Sequence, residues 1–235
     1  MHCTWIPGYT DQAEIDLTEA EAHHLLHVLR GKPGMQMLFT NGNGITGTAE
    51  VIRADKKKCT VHILDKKQHT RSAPAIHIAA GLLHNTDRQQ FMLEKLTELG
   101  VARITPLLTA NVERRHFNRE KAEAHMIAAL KQSAQPFLPE LDEMVQFLHY
   151  TAQTDVAEQR FIAHCRRHDM THLAKQYQPA DAVCIAIGPE GDFTREEVEA
   201  AEAAGFRPVS LGRDVLRAET AAVTAAVIIK TLHAT

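Results

Sequence analysis

Two short segments near the carboxyl end of the chain combine residue types that could bind a ligand. The first, Gly188-Pro189-Glu190-Gly191, follows an apolar run at Ala182–Ile187 and precedes a helix start marked by Thr194 and Glu197. Glycines let a ligand approach the backbone closely, and ligands of open α/β sheets bind where strands end. The segment is therefore a candidate binding loop, although an ordinary strand-to-helix turn has the same composition.

The second segment, Ser210–Thr220, contains Arg213 and Arg217 and leads from a predicted strand into an apolar helix. A guanidinium at such a place can stabilise negative charge that develops during a reaction. The simpler interpretation is a helix amino terminus, where Glu219 interacts favourably with the helix dipole. Neither segment identifies a reaction by itself.

The pattern around these segments predicts alternating strands and helices. Strands are predicted at Ile76–Leu83, Ile104–Leu108, Arg160–His164, Ala182–Ile187 and Val209–Leu211, and helices at Asp87–Leu99, Asn118–Ala134, Arg195–Ala204 and Ala221–Leu232. The run at Ala182–Ile187 is apolar throughout, as expected for a strand covered on both faces. This alternation indicates an α/β domain with a mostly parallel sheet.

The first 72 residues follow a different pattern. A capping-box signature at Thr18 and Glu21 predicts a helix, which the Gly31–Pro33 segment should end. Between Met35 and Ile63 the periodicity changes to two, and Asn41–Gly44 is a strong hairpin signal. Short, closely linked strands predict a small antiparallel barrel. The polar run Lys66–Ser72 is predicted to be a linker.

Composition limits the possible classes of protein. The chain has 235 residues, of which 44% are hydrophobic and 23% are charged, as in ordinary globular proteins. Its apolar runs are too short to span a membrane, its amino terminus does not resemble a signal peptide, and its four cysteines are scattered. A cytoplasmic protein with reduced thiols is therefore expected. His23 and His27 lie one helical turn apart without an evident third ligand, so no metal is predicted.

The charge distribution restricts where RNA could bind. The net charge is -3 overall, but it is +1 over residues 1–75, +2 over residues 76–135 and -6 over residues 136–235. This balance argues against a protein that coats nucleic acid without specificity. Any RNA contact is expected in a local basic patch within the first 135 residues.

Taken together, the two segments resemble the signature of the SPOUT, or trefoil-knot, RNA methyltransferases. The resemblance is greatest to the bacterial family that methylates N3 of a uridine in the 16S ribosomal RNA of the small subunit. The sequence carries it at Ile187–Phe193, Gly205–Thr220, Asp87-Arg88, Glu94–Val101, Ile104–Leu107, Lys131–Ser133 and His24–Gly34. It thus extends over nearly the whole chain.

The resemblance implies a PUA-like β-barrel domain at residues 1–72 and an α/β trefoil-knot (SPOUT) domain with a mostly parallel sheet at residues 73–235. It also implies a homodimer and a methyl donor, S-adenosyl-L-methionine, bound by the loops of the knot. Positions carried over from the family place the donor against Leu108, Ala163, Gly188, Pro189, Gly191, Leu211, Gly212 and Leu216. A threaded chain breaks the usual rule for protein folds, so pattern alone does not predict it.

The implied reaction requires the uracil to leave its stack and to lose the N3 proton, because the neutral imide is a poor nucleophile. Arg217 is the candidate for stabilising the uracil anion. Glu219 is the candidate for orienting Arg217 or accepting the proton, and a role only at the helix start is the alternative. A ribose 2′-O-methyltransferase of the same fold and a non-catalytic RNA-binding protein remain alternative functions.

The expected partner is 16S ribosomal RNA in the assembled small subunit. Candidate phosphate contacts are Arg30, Lys32, Arg88, Arg114, Arg115 and Lys131, although any one of them could be only a solvated surface group. The chain departs from the family pattern at two places. Asp192 stands where many members have glycine, and His84-Asn85-Thr86 replaces the usual basic and glycine residues before Asp87-Arg88.

Overall fold

The computed structural model describes residues 2–55, 58–113, 115–152, 157–166 and 169–234. Contacts divide the chain into two compact units. The first comprises Met1–Arg71 with Ile127–Leu138, and the second comprises Ser72–Met126 with Pro139–Thr235. Among the described residues, no helix combines the length and the apolar character that crossing a bilayer requires.

The first unit contains a five-stranded sheet. Its strands are β1 (Cys3–Trp5), β2 (Glu14–Asp16), β3 (Gln36–Thr40), β4 (Ile45–Ala54) and β5 (Cys59–Gln68), in the order β1-β3-β4-β5-β2. The β3–β4 hairpin turns at Asn41–Gly44, as predicted, and β3, β4 and β5 are antiparallel. The sheet is nevertheless mixed, because β1 pairs with β3 in parallel. The predicted linker at Lys66–Ser72 is wrong at its start, since Lys66, Lys67 and Gln68 pair with β4.

The predicted helix of this unit is short and changes character. Helix α1 (Glu19–His23) begins where expected, because the Thr18 hydroxyl accepts a hydrogen bond from the Glu21 backbone N–H at 3.4 Å. A π-helical turn follows at His24–Val28. Arg30 then adopts a left-handed conformation with φ of 54°, which glycine usually occupies and which ends the helix one residue before Gly31.

The second unit contains a seven-stranded sheet whose pairings between the described strands are all parallel, where the sequence pattern predicted a mostly parallel sheet. Its strands are β6 (Ala75–Gly81), β7 (Arg103–Leu108), β8 (Glu140–Leu141), β9 (Val145–Gln146), β10 (Gln159–Ala163), β11 (Ala182–Ile187) and β12 (Arg207–Val209). The order is β12-β10-β11-β6-β7-β8, and β9 also pairs with β7. Strand β12 is not at the predicted Val209–Leu211, because its pairing with β10 ends at Val209.

The remaining helices are α2 (Thr86–Glu98), α3 (Arg119–Ser133), α4 (Phe147–Thr151), α5 (Leu173–Gln176), α6 (Arg195–Ala203) and α7 (Ala218–His233). The predicted capping box of α6 is complete, with the Thr194 and Glu197 side chains each bonded to the other residue's backbone N–H. Helices α4 and α5 have only five and four residues, too few to produce a periodic pattern. Strand β11 is buried almost throughout, so the loop that follows it starts from a rigid position.

A polar cluster interrupts the apolar core between β6 and its neighbours. His77 on β6 is 5% exposed, and its Nε2 atom lies 2.6 Å from the Thr105 hydroxyl. The Tyr150 hydroxyl lies 2.9 Å from the Cys184 sulfur. Burial and the Arg103 guanidinium lower the pKa of His77 to about 4, against an opposing effect of the Asp142 carboxylate. His77 is therefore neutral in the folded protein at neutral pH.

This burial predicts a loss of stability in acid. Because the folded pKa of His77 lies below its unfolded value of 6.5, the unfolded chain binds the proton first. The contribution of His77 is complete above pH 6.5 and is lost as the pH falls toward 4, by roughly 3 kcal/mol of unfolding free energy. Denaturant titrations across this range should show a smaller pH slope for His77→Gln. The same change at exposed His116 should leave the slope unaltered, and equal slopes for all three proteins would contradict the prediction.

Candidate active site

A cavity of about 850 Å³ lies in the second unit, where β10, β11 and β12 reach their carboxyl ends. Three loops follow these strands and form most of its wall. The lining residues are Ala163, His164, Cys165, Met170, His172, Ile187, Gly188, Pro189, Glu190, Asp192, Val209, Ser210, Leu211, Gly212, Arg213, Asp214, Val215, Leu216, Arg217, Ala218 and Ala221. Parallel strands therefore bring the two candidate segments of the sequence to one site.

The loop after β11 is held by close packing. A turn closes with the Asp192 backbone N–H donating to the Pro189 carbonyl oxygen at 3.0 Å. A Cβ atom on Gly188 would lie 2.9 Å from the Asp192 carboxylate, and one on Gly81 would lie 2.6 Å from both the nitrogen and Cδ of Pro189. Gly81, the last residue of β6, is thus needed for the loop to occupy its position.

Asp192 joins this loop to the one after β10. It adopts φ of 58°, in the left-handed region. One carboxylate oxygen accepts a hydrogen bond from the Cys165 backbone N–H at 2.9 Å, and the other accepts from the Phe193 N–H at 2.8 Å. Burial and the Asp192 carboxylate raise the pKa of the Cys165 thiol, so this sulfur is a poor nucleophile.

The loop after β12 contributes both apolar and charged groups. Val209 is buried and Leu211 and Leu216 are half-buried, so together they give the cavity an apolar wall. Arg217 is exposed, lines the cavity and occupies the N-cap position of α7. Its guanidinium can therefore reach a substrate that enters from solvent.

The predicted donor contacts divide into two groups. Those that line the cavity are Ala163, Gly188, Pro189, Leu211, Gly212 and Leu216. Leu108 does not line it, and Gly191 lines a neighbouring cavity of about 370 Å³ together with Arg88 and Asn111. The sequence motifs missed His164, Cys165, Met170 and His172, which follow β10. The position of these residues after a predicted strand was the available signal.

Glu219 lies deeper than Arg217. It is 6% exposed, and one carboxylate oxygen lies 3.8 Å from the Nε atom of Arg88 on α2. The other oxygen makes no hydrogen bond within the described ranges. Among the described residues, Arg88 is the ion-pair partner of Glu219, and a buried carboxylate of this kind favours a positively charged neighbour. In the described part of the chain, no group of three His, Cys, Asp or Glu side chains could hold a metal ion.

The candidate phosphate contacts have different surroundings. Arg30, Lys32 and Arg115 are exposed, whereas Arg114 lies outside the described residues. Lys131 forms a short ion pair within the first unit, where its Nζ atom lies 2.6 Å from a carboxylate oxygen of Glu21. Glu21 is only 5% exposed and also accepts a hydrogen bond from the Thr4 hydroxyl at 2.7 Å. This pairing supports a structural role for Lys131, and its contact with RNA stays a prediction.

Replacing Lys131 with alanine is expected to lower the free energy of unfolding by about 3 kcal/mol, because Glu21 would keep a buried charge without a cation. Adding Glu21→Gln should recover part of that loss. Urea titrations of the single and double variants would measure both effects, with exposed Lys121→Ala on α3 as the control. If Lys131→Ala kept full stability and weakened only RNA binding, the ion pair would not be structural.

Comparisons with known proteins agree with this geometry. The family model described as an RNA methyltransferase domain matches residues 70–230, and the RNA methyltransferase PUA domain matches residues 17–64. The Ribosomal RNA small subunit methyltransferase E of Rickettsia conorii is 26% identical over 224 residues, which cover 92% of this chain and 88% of that protein.

Solved structures show the same fold over the full length. A probable rRNA-methyltransferase of Porphyromonas gingivalis has a TM-score of 0.90 at 34% identity and covers 100% of this chain and 99% of its own. A methyltransferase of Legionella pneumophila, solved with bound S-adenosylmethionine, has a TM-score of 0.87 at 30% identity and covers 97% of this chain and 96% of its own.

The implied fold class, a PUA-like unit followed by an α/β trefoil-knot (SPOUT) domain, is confirmed. The chain belongs to the RNA methyltransferase family whose catalytic domain follows an RNA methyltransferase PUA domain.

Proposed function

We propose that the protein transfers a methyl group from S-adenosyl-L-methionine to N3 of a uridine in 16S ribosomal RNA. The observation that carries this proposal is the cavity at the ends of β10, β11 and β12, whose wall contains residues of both family segments, including the exposed Arg217. The ribosomal RNA methyltransferases among its relatives and the donor bound in the Legionella structure support it.

The cavity suits the donor in size and chemistry. Its volume of about 850 Å³ falls within the range of about 300–1,000 Å³ for small-molecule sites. The apolar wall of Val209, Leu211 and Leu216 can cover the adenine, while Gly188 and Gly212 leave backbone groups open to polar parts of the ligand. The donor supplies a methyl carbon that is electrophilic because it is bonded to a sulfonium.

The protein must then prepare the nucleophile. As the N3 proton leaves, negative charge spreads over the uracil carbonyl oxygens. Arg217 is the candidate for stabilising this charge, because it is exposed and lines the cavity. Glu219 is a candidate proton acceptor or orienting group. Its burial and its ion pair with Arg88 support the orienting role, in which Glu219 would hold the Arg88 side chain in place. In either role, the target uracil must first leave the stacked RNA and enter the cavity.

The protein acts in this proposal as a cytoplasmic homodimer on the assembled small subunit. The homodimer is what the family resemblance implies, and its test is the oligomeric state of the purified protein in solution. Exposed Arg30, Lys32 and Arg115, with Arg88 beside the second cavity, are the candidate phosphate contacts.

Methylation assays with purified protein test the function. Assembled small subunits and free 16S RNA should be compared as substrates with a labelled donor, and the modified nucleoside should be identified by digestion and mass spectrometry. N3-methyluridine formed on subunits supports the proposal. A ribose-methylated product would indicate a 2′-O-methyltransferase, and RNA binding without donor binding would indicate a non-catalytic protein.

A further inference from the structure

The loops after β10 and β11 are joined by the side chain of one residue, Asp192. Cys165 and Asp192 both line the large cavity, on different loops. The hydrogen bond of 2.9 Å from the Cys165 N–H to the Asp192 carboxylate therefore crosses between two parts of the wall. A hydrogen bond to a charged group is among the stronger interactions of this kind.

The surroundings of Asp192 fix its carboxylate over the loop. Its second oxygen accepts from the Phe193 N–H at 2.8 Å, and the Asn111 side-chain amide donates to the carbonyl oxygens of Gly191 and Asp192 at 2.9 and 3.0 Å. Gly188 lies directly beneath the carboxylate, since a Cβ atom there would approach it to 2.9 Å. The carboxylate thus occupies space that a side chain at residue 188 would otherwise fill.

The backbone conformation at Asp192 is one that glycine adopts more easily than aspartate. A residue with a Cβ atom is strained in the left-handed region relative to glycine, although aspartate tolerates it better than most residues. Glycine would adopt φ of 58° without strain but would lose both hydrogen bonds. The chain keeps the side chain at a position where the backbone favours glycine.

We propose that Asp192 is a positioning residue for the methyl donor, because its carboxylate fixes the Cys165 loop against the Gly188 loop before the donor binds. Asp192 acts through the shape of the wall and not through the reacting atoms. Ordering both loops in advance removes part of the entropy that binding would otherwise cost. This inference rests on the proposed function, which places S-adenosyl-L-methionine in this cavity.

Donor binding by calorimetry provides the test. Asp192→Gly should weaken S-adenosyl-L-methionine binding roughly ten-fold or more, because one charge-assisted bond and the preorganisation are lost. Its melting temperature should change little, since relief of backbone strain offsets the lost bonds. Asp192→Asn tolerates the left-handed backbone and keeps one acceptor oxygen for the Cys165 N–H, but its NH2 group cannot accept from the Phe193 N–H, so it should recover only part of the affinity. Asp181→Gly, an exposed site before the opposite end of β11, is the matched control and should bind as the parent does.

Amide hydrogen exchange on the free protein tests the clamp without the donor. Exchange at the Cys165 N–H should be faster in Asp192→Gly than in the parent and the control. Unchanged affinity and unchanged exchange in Asp192→Gly would overturn the inference. It would also be overturned if Asp192→Asn kept the slow exchange at the Cys165 N–H but lost as much affinity as Asp192→Gly, which would indicate a direct charge contact with the donor. If the parent itself fails to bind S-adenosyl-L-methionine, the proposed function fails, and the exchange result still reports on the clamp.

Discussion

Arg217→Ala is expected to slow methyl transfer to 16S ribosomal RNA by about 100- to 1,000-fold while the affinity for the donor stays within a few-fold of the parent. The reason is that a group that stabilises charge only as the reaction proceeds contributes to the rate and not to ground-state binding. Single-turnover rates at saturating donor would measure the first effect, and calorimetry would measure the second.

Two further variants sharpen this experiment. Arg217→Lys keeps the charge but loses the planar, bidentate guanidinium, so it should recover only part of the rate. Arg213→Ala removes the other exposed arginine of the same loop and should have a smaller effect. Full activity of Arg217→Ala on assembled subunits would remove Arg217 from the mechanism.

Gly81→Ala should weaken donor binding by about 100-fold or more, although Gly81 does not line the cavity. Its new methyl group would lie 2.6 Å from backbone and ring atoms of Pro189, so the loop after β11 must shift. A misplacement near 1 Å in an active site can cost about 100-fold in rate, and we expect a loss of similar size in the donor contacts that this loop makes.

Calorimetric titration with S-adenosyl-L-methionine would measure the change, and circular dichroism would show that the sheet remains folded. Gly8→Ala is the control, because a Cβ atom at Gly8 meets no atom within 4 Å. Parental affinity in Gly81→Ala would mean that the loop yields without cost and that β6 does not set its position.

Local sequence was sufficient for the central strand of the cavity and for the helix that follows it. The apolar run at Ala182–Ile187 predicted β11 with its observed bounds, and Thr194 with Glu197 predicted the start of α6. These features depend on neighbours in sequence, through burial on both faces and through reciprocal capping. The sequence pattern likewise placed the segments Gly188–Gly191 and Ser210–Thr220 at the ends of strands. The resemblance to the family then assigned both segments to one donor site.

Other features depend on residues distant in sequence, so no local pattern contains them. Glu21 pairs with Lys131 across 110 positions, and Glu219 lies beside Arg88. The bond between Asp192 and Cys165 depends on the register of β10 with β11. The sequence showed only that Asp192 departs from the family glycine, and the geometry gave that departure a physical role.

The described residues that line the cavity all lie between positions 163 and 221, in the second compact unit. A ligand that binds only the folded form stabilises it by mass action, by about 2.7 kcal/mol at a concentration one hundred times its dissociation constant. Saturation with the donor should therefore raise the melting temperature of the second unit. Helix α3 belongs to the first unit from Ile127 onward and to the second unit before it, so a thermal scan with and without S-adenosyl-L-methionine would also show whether this shared helix carries the stabilisation into the first unit.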